Sequence, residues 1–409
     1  MSTFLPRKQL NPDFARMALL SGDDYSTELS KLDSLINFSR ASAGTRFNAS
    51  GVLESVASGQ PRFDFDPATL LPRGLLIEEQ RTNYFLQSQN FGASPWVAQG
   101  SPSRTAGADT SIGVPLDLVT GAGYGDGYYQ LFPSSTLPNG TVIISFFFRK
   151  GTTAQSKIEF YQNGLGDIGV LTITWNGNVP SFTYSAGAMN LGAPVQINAN
   201  VWRGSFGVPS VVGSATNGIY TYPSNGASAN IYWGGFQVEA GVSVTSYIST
   251  TTATVTRAAD VASITSLAPW FNAASGTWAA EADTANPIGS ARAFILSSNG
   301  ATMLPGLEWD SDSGYARVEW YDGTHDFILY SAGVWSTTRK IATSYAAAGI
   351  SFSALGEAIQ THANTMTAAP TSFYLGCYNG SSLFLNGHLK RLAYLPWQVS
   401  SGLLRALST

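Results

Sequence analysis

Glu308, Asp310 and Asp312 recur at every second position in LEWDSDSG. In an extended strand, period 2 places all three carboxylates on one face. Two such groups about 5–5.5 Å apart serve as nucleophile and acid in retaining glycoside hydrolysis. SDSG, however, lies between two strand-like runs, EWD and YARVEWYDG, and has the residues of a hairpin turn. There Asp and Ser bond the backbone and Gly takes positive φ. A turn accounts for Asp312 without catalysis, so no catalytic residue is assigned and the chain is read as a non-enzyme. The Asp-x-Asp pair would also suit a hard-oxygen calcium site, but Gly314 stands where an EF-hand needs its third ligand. No metal or other cofactor is expected. His325, His362 and His388 are scattered, with no triad-like neighbours, and are expected at the surface or on backbone groups. The one cysteine, Cys377, excludes an intrachain disulfide and a Cys/His metal cluster.

A sugar site needs other parts: an aromatic ring under the apolar face of a pyranose, and Asn, Asp, Gln or Arg for its hydroxyls. Two places offer them. GAGYGDGYYQ carries Tyr124, Asp126, Tyr128 and Tyr129 in a glycine-rich loop, and EWYDGTHDF carries Trp320, Tyr321, Asp322, His325 and Asp326 at a turn. The candidate ligand-binding residues are Tyr124, Asp126, Tyr128, Trp320, Tyr321 and Asp322. The competing reading makes alternate rings, such as Tyr129 or Trp320, core residues.

The elements that must position these groups are short strands. The 42 glycines and 19 prolines break the 409 residues into pieces, and runs such as TVIISFFFR, KIEFYQ, VLTITW, YARVEWYD and FILYSAG are β-branched or aromatic and bounded by turn residues. Residues 1–35 hold much of the helical signal: Phe14, Met17, Ala18 and Leu19 fall near helical spacing, with Asn11 and Ser26 as candidate caps. Near the other end, Ser400 is placed to cap a helix over Leu403, Leu404 and Leu407. The expected fold class is mainly β: a short helical anchor (1–35), an extended segment (36–87), and two antiparallel β-sandwich, jelly-roll-like domains (88–257 and 258–409). A net charge of −4 provides no footprint for nucleic acid or an anionic membrane, and the apolar run from 142 to 148 is far short of the roughly 20 residues that span a bilayer. MSTFLPRKQLN has no apolar core of the secretory kind, so synthesis in a reducing cytoplasm is expected.

The segment 38–83 is unusual. It gathers Arg40, Arg46, Arg62, Arg73 and Arg81 with Glu54, Asp64, Asp66, Glu78 and Glu79, in a chain only 12% charged. Arginine and carboxylate can pair as forks across short extended pieces, and Arg62, Asp64, Glu78 and Arg81 are expected to form a buried network that fixes the segment to its sandwich. The ordered motifs FSRAS, TRFNASGVLE, PRFD and GLLIEEQRTN resemble a segment of tailed-bacteriophage structural proteins. That segment precedes carbohydrate-binding-module-like and concanavalin-A- or laminin-G-like sandwiches, which the runs at 88–257 and 258–409 also resemble.

The resemblance implies a virion protein, a tail-fibre or receptor-binding component, that adheres to host surface polysaccharide without cleaving it. It further implies virion partners docked on residues 1–35, a homo-oligomer with a trimer favoured, and assembly in the host cytoplasm. Two alternatives are a capsid decoration or head-fibre protein and a polysaccharide depolymerase. Endoglycanases with a concanavalin-A-like fold carry a Glu-x-Asp-x-Glu pattern comparable to the one at 308–312.

Overall fold

In a computed structural model, structure is described for residues 12–13, 18–19, 35–286, 293–299, 303–310, 313–321, 326–334, 338–363 and 369–409. Among these the chain is almost wholly antiparallel β structure, with one regular helix, Ser401–Leu407.

The first sandwich is built from two facing sheets. One has six strands in the order Val179–Ser185, Gly166–Asn176, Gln155–Gln162, Asn217–Tyr222, Gly127–Phe132, Val97–Gln99. The other runs Ser103–Asp109, Leu116–Gly121, Ala229–Ala240, Gly140–Lys150, Val201–Val211, Met189–Asn190, with Val195–Gln196 also on Val201–Val211. Alternation explains the core between them. Ile144, Phe146 and Phe148 point inward against Ile158, Phe160, Leu171, Phe206 and Trp233, whereas Phe147 points out into a second cluster with Val201, Ile197 and Tyr247.

The second sandwich draws on both ends of the chain. Its first sheet contains Gly276–Asp283, Gly387–Leu395, Thr338–Ala346 and Gly349–Ala354, and Pro72–Ile77 also pairs with Gly387–Leu395, carrying Arg62–Phe65 beside it. Its other sheet ends with Asn37–Ser39 paired to Val261–Ile264. Trp278, Tyr345, Phe352 and Tyr394 of the first sheet meet Leu307, Val318, Trp320 and Phe373 of the second. Gly74 shows why this junction needs glycine: φ is +113°, and a Cβ would lie 2.5 Å from the Leu389 carbonyl oxygen. Asn37–Ser39, Arg62–Phe65 and Pro72–Ile77 are thus woven into the C-terminal sheets, between whose strands the first sandwich is inserted, while Gly44–Phe47 and Leu53–Val56 pair with each other. The chain leaves and returns through Arg81–Asn83 and Val255–Arg257, which pair antiparallel.

The helical anchor expected over residues 1–35 is not supported. Pro12–Asp13 and Ala18–Leu19 are described, and they are short strands that pair with each other, Asp13 also opposite Arg391 on Gly387–Leu395. At these four residues a strand edge supplies the ladder partners, and Leu35, also described, is helical. Phe14, Met17, Asn11 and Ser26 lie outside the described residues. At the other end Ser400 Oγ accepts from the Leu403 amide, and Leu404 is buried against Ala342, Ala393 and Val399.

Candidate functional site

The outer face of the six-stranded sheet carries a row of tyrosines. In Asn217–Tyr222, Ile219 and Thr221 point into the core, so Tyr220 and Tyr222 point out. In Gly127–Phe132 the inward Phe132 and Gln130 set the parity, which turns Tyr129 outward opposite Tyr220. In Gln155–Gln162, inward Ile158 and Phe160 leave Lys157, Glu159 and Tyr161 outside, with Glu159 opposite Tyr220 and Lys157 opposite Tyr222.

The rings form a nearly parallel, stacked run. Tyr129 and Tyr220 have centroids 4.9 Å apart at 20°, Tyr220 and Tyr222 6.4 Å at 16°, and Tyr222 and Tyr124 6.2 Å at 16°. Tyr161 stands edge-on to Tyr220 at 6.1 Å. Gly218 leaves the Tyr220 edge clear, since a Cβ there would sit 3.2 Å from that ring. Tyr124, on its loop, is 66% exposed, while Tyr129, Tyr161 and Tyr220 are half-buried and Tyr222 is buried.

Polar groups flank the rings. Lys157 Nζ lies 3.3 Å from Glu159 Oε1 and 5.3 Å from the Tyr124 centroid. Burial, with the charge of exposed Asp167, raises the Glu159 carboxyl above its usual value. Burial and Glu159 push the Tyr222 hydroxyl upward, while Gln99 bonds it. The surface therefore presents the margins of a stack of parallel rings with donors and acceptors beside them, against which the C–H groups of a pyranose can pack.

The sequence candidates fall in different places. Tyr124 belongs to the row. Asp126 does not face it as a free acceptor: its carboxylate takes the Ser101 amide at 3.1 Å and the Ala122 amide at 2.9 Å, holding the loop. Tyr128 lies on the core side, 5.6 Å from the Phe91 ring. Trp320 is 2% exposed and packs 5.2 Å from Tyr345, so it has no face to offer a ligand; Ala316 and Val318 share its parity and carry it inward. Tyr321 is half-buried, and Asp322 and His325 lie outside the described residues. Tyr129, Tyr161, Tyr220 and Tyr222 were missed as a set. Reading back from the inward Phe132 and Ile219 at period 2 would have found three of them.

The carboxylate motif does not form an open acid pair. Glu308 is fully buried with Arg317 Nε at 3.0 Å, and Arg317 also bonds Glu319. Asp310 ends its strand opposite Tyr315, and Asp312 lies outside the described residues.

The charged segment forms buried networks. Arg62 bonds Glu78 (2.8 Å) and Asp260; Arg40 bonds Asp260 (3.0 Å); Arg257 lies 3.4 Å from Glu78. Burial opposes ionisation of Glu78, yet Arg257 and Arg62 hold it far below the carboxylate range. Arg81 turns instead to Glu79 (2.6 Å) and Glu239 (3.6 Å), and Asp64 to His388. His388 is not at the surface: it is buried with Nδ1 2.8 Å from Asp283 and Nε2 3.0 Å from Asp64. Burial alone would lower its pKa, but the two carboxylates raise it. Asp64, Glu78, Asp283 and His388 border a cleft of about 1120 Å³ between the sandwiches.

No family model matches the chain, and no curated protein matches it. Among solved structures it is similar to the CBM40 domain of the Ruminococcus gnavus IT-sialidase (16% identity, 34% of this chain and 84% of that one, TM-score 0.30). It is also similar to the NanB sialidase of Streptococcus pneumoniae (14%, 35% and 26%, 0.29) and a SAP-like pentraxin of Limulus polyphemus (8%, 33% and 70%, 0.25). Likenesses this slight carry neither activity nor ligand, and the tyrosine row stands on its own geometry.

Proposed function

We propose that this chain is a non-catalytic glycan-adhesion protein that holds sugar on the tyrosine row of its first sandwich. The observation that carries the reading is the run Tyr124, Tyr222, Tyr220, Tyr129, four rings within 20° of their neighbours on an outer sheet face. A pyranose can pack its C–H groups against the exposed margins of this stack, with Lys157 and Glu159 beside the rings for its hydroxyls. The burial of Glu308 against Arg317 favours adhesion over hydrolysis at the 308–312 motif.

The finer setting rests on the motifs of 38–83: a tailed-phage virion component of tail-fibre or receptor-binding type, oligomeric, held to other virion proteins through residues 1–35. Copy number would then compensate weak single sites, since multivalency raises avidity by about 10²–10⁴ without new contacts.

The test is binding of purified protein, displayed multivalently, to a glycan array and to host surface polysaccharide, alongside Tyr220→Ala with its fold checked by circular dichroism. Binding that the variant loses supports the reading. Binding that Tyr220→Ala retains in full, or none at any density, overturns it.

A further inference from the structure

Arg203 lies on the opposite sheet of the first sandwich, facing away from the core. Its neighbours Trp202 and Phe206 pack inward, and Val201, two residues before it, joins the outer cluster with Phe147. Arg203 lines the inter-sandwich cleft. Its environment differs from that of four other arginines set into this protein. Arg40, Arg62, Arg257 and Arg317 each have a carboxylate within 3.4 Å. Among the described residues, Arg203 has none within ion-pair distance. Nη2 donates to two neutral oxygens, Ser145 Oγ at 3.1 Å and the Thr245 carbonyl at 2.7 Å, and Nε is buried without a partner.

The carboxylates whose charge reaches Arg203 are committed elsewhere. Glu239 accepts from Thr245 and Gln237, Glu78 from Ser246 and Arg62, and Asp64 from the Phe47 amide and His388. Burial lowers the Arg203 pKa in spite of them. A guanidinium half-buried in a cleft wall and bonded only to neutral oxygens has room for an anion.

The rest of the cleft says what kind. Phe147, whose ring lies 5.5 Å from the Arg203 guanidinium carbon, joins Phe47, Leu53 and Val195 as apolar lining, while Ser205 and Asn190 bring polar side chains. Asp64, Asp66, Glu78, Glu281 and Asp283 also line the cleft, as do Arg46, Arg73, His388, Lys390 and Arg391, so the anion position is the part beside Arg203. There an apolar wall, polar margins and a guanidinium without an ion-pair partner among the described residues fit an acidic pyranose better than a phosphate or a bare inorganic anion, which would leave the wall unused.

We propose that this cleft is a second ligand site, for a uronic acid residue whose carboxylate docks on Arg203. The site is separate from the tyrosine row, which lies on the other sheet, and it joins the charged segment to both sandwiches.

Isothermal titration of the full chain with D-galacturonate and D-glucuronate, with D-galactose as the neutral control, tests it. At least one uronate should bind in preference to galactose, weaken as salt is raised, and lose roughly tenfold or more in Arg203→Gln. Arg203→Lys, which keeps the charge but not the fork, should fall between. Tyr220→Ala should bind the uronate as the wild type does, so failure of the tyrosine row would leave this result standing. Equal binding of galactose, no uronate binding at millimolar concentration, or wild-type binding by folded Arg203→Gln would each overturn the proposal. If Arg203→Gln does not fold, Arg203→Lys and the salt series decide: an unchanged affinity in both overturns it.

Discussion

Beneath the charged segment, Arg40, Arg62, Arg257, Glu78 and Asp260 are buried together, although such groups are almost always solvated. On the outer sheet of the first sandwich, Tyr124, Tyr129, Tyr161 and Tyr220 keep part of their rings in water, although large rings usually fill cores. The two regions invert the ordinary distribution in opposite directions. Burial of ions is tolerated where each charge is matched, and it gains geometric uniqueness at the joint between sandwiches rather than net stability. The exposed rings return stacking on one another, and the proposed glycan site rests on the surface they leave open.

The contrast can be broken most forcefully at the ions. Asp260→Ala leaves Arg62 and Arg40 without their shared carboxylate and should destabilise the protein by about 3–5 kcal/mol in denaturant unfolding. An unchanged midpoint would show that the network carries no structural burden. Trp320→Ala, a core deletion, should cost a comparable ~3–5 kcal/mol without altering glycan affinity of the folded fraction. Tyr220→Ala should do the reverse, shifting stability by less than about 1 kcal/mol while glycan affinity falls about tenfold. If the two variants behave alike, the division between core and site rings is wrong.

The His388 seam sharpens the comparison by pH. Its folded pKa is raised, so its contribution is complete below the ordinary histidine value of about 6.5 and is lost as pH rises through the folded value. Asp283 is held low, His388 and Arg73 outweighing burial, so its contribution is present above the usual aspartate range and fades as pH falls through the depressed value. Arg73 and Lys390, each 3.7 Å from Asp283, share that charge. Unfolding midpoints should therefore decline on the alkaline side, and His388→Gln should flatten that decline; an identical slope in the variant would remove His388 from the account. A local effect is expected at Ser400→Ala, about 1 kcal/mol from the lost cap of Ser401–Leu407, read as reduced amide protection in that helix.

Much of the β architecture was legible because alternation is local. The runs TVIISFFFR and KIEFYQ declare their inward residues, and Ser400 announces its helix. The charged segment was legible as a network, but its partners were not. Asp260 lies 198 residues from Arg62, and no local pattern pairs them. His388 was misread for the same reason, its second carboxylate being Asp64, 324 residues away. The site was half legible: GYYQ drew attention to the right strand, but adjacent tyrosines differ by one residue in phase, and one residue reverses the face. Tyr128 was chosen where Tyr129 faces out, and Trp320 was chosen although Ala316 and Val318 share its inward parity.

The insertion of one sandwich within another has a consequence for synthesis. Ile77 and Gly387 are ladder partners, yet at roughly 5–20 residues per second the ribosome needs about 15–60 s to make the residues between them. Through that interval the inserted sandwich can close on strands already emerged, while Arg62–Phe65 and Pro72–Ile77 wait with an open edge and Arg62 without Asp260. The charged side chains on the waiting strands keep that edge hydrated and poor at pairing with another nascent chain. The same ions that lock the finished joint thus serve first as its temporary solubiliser.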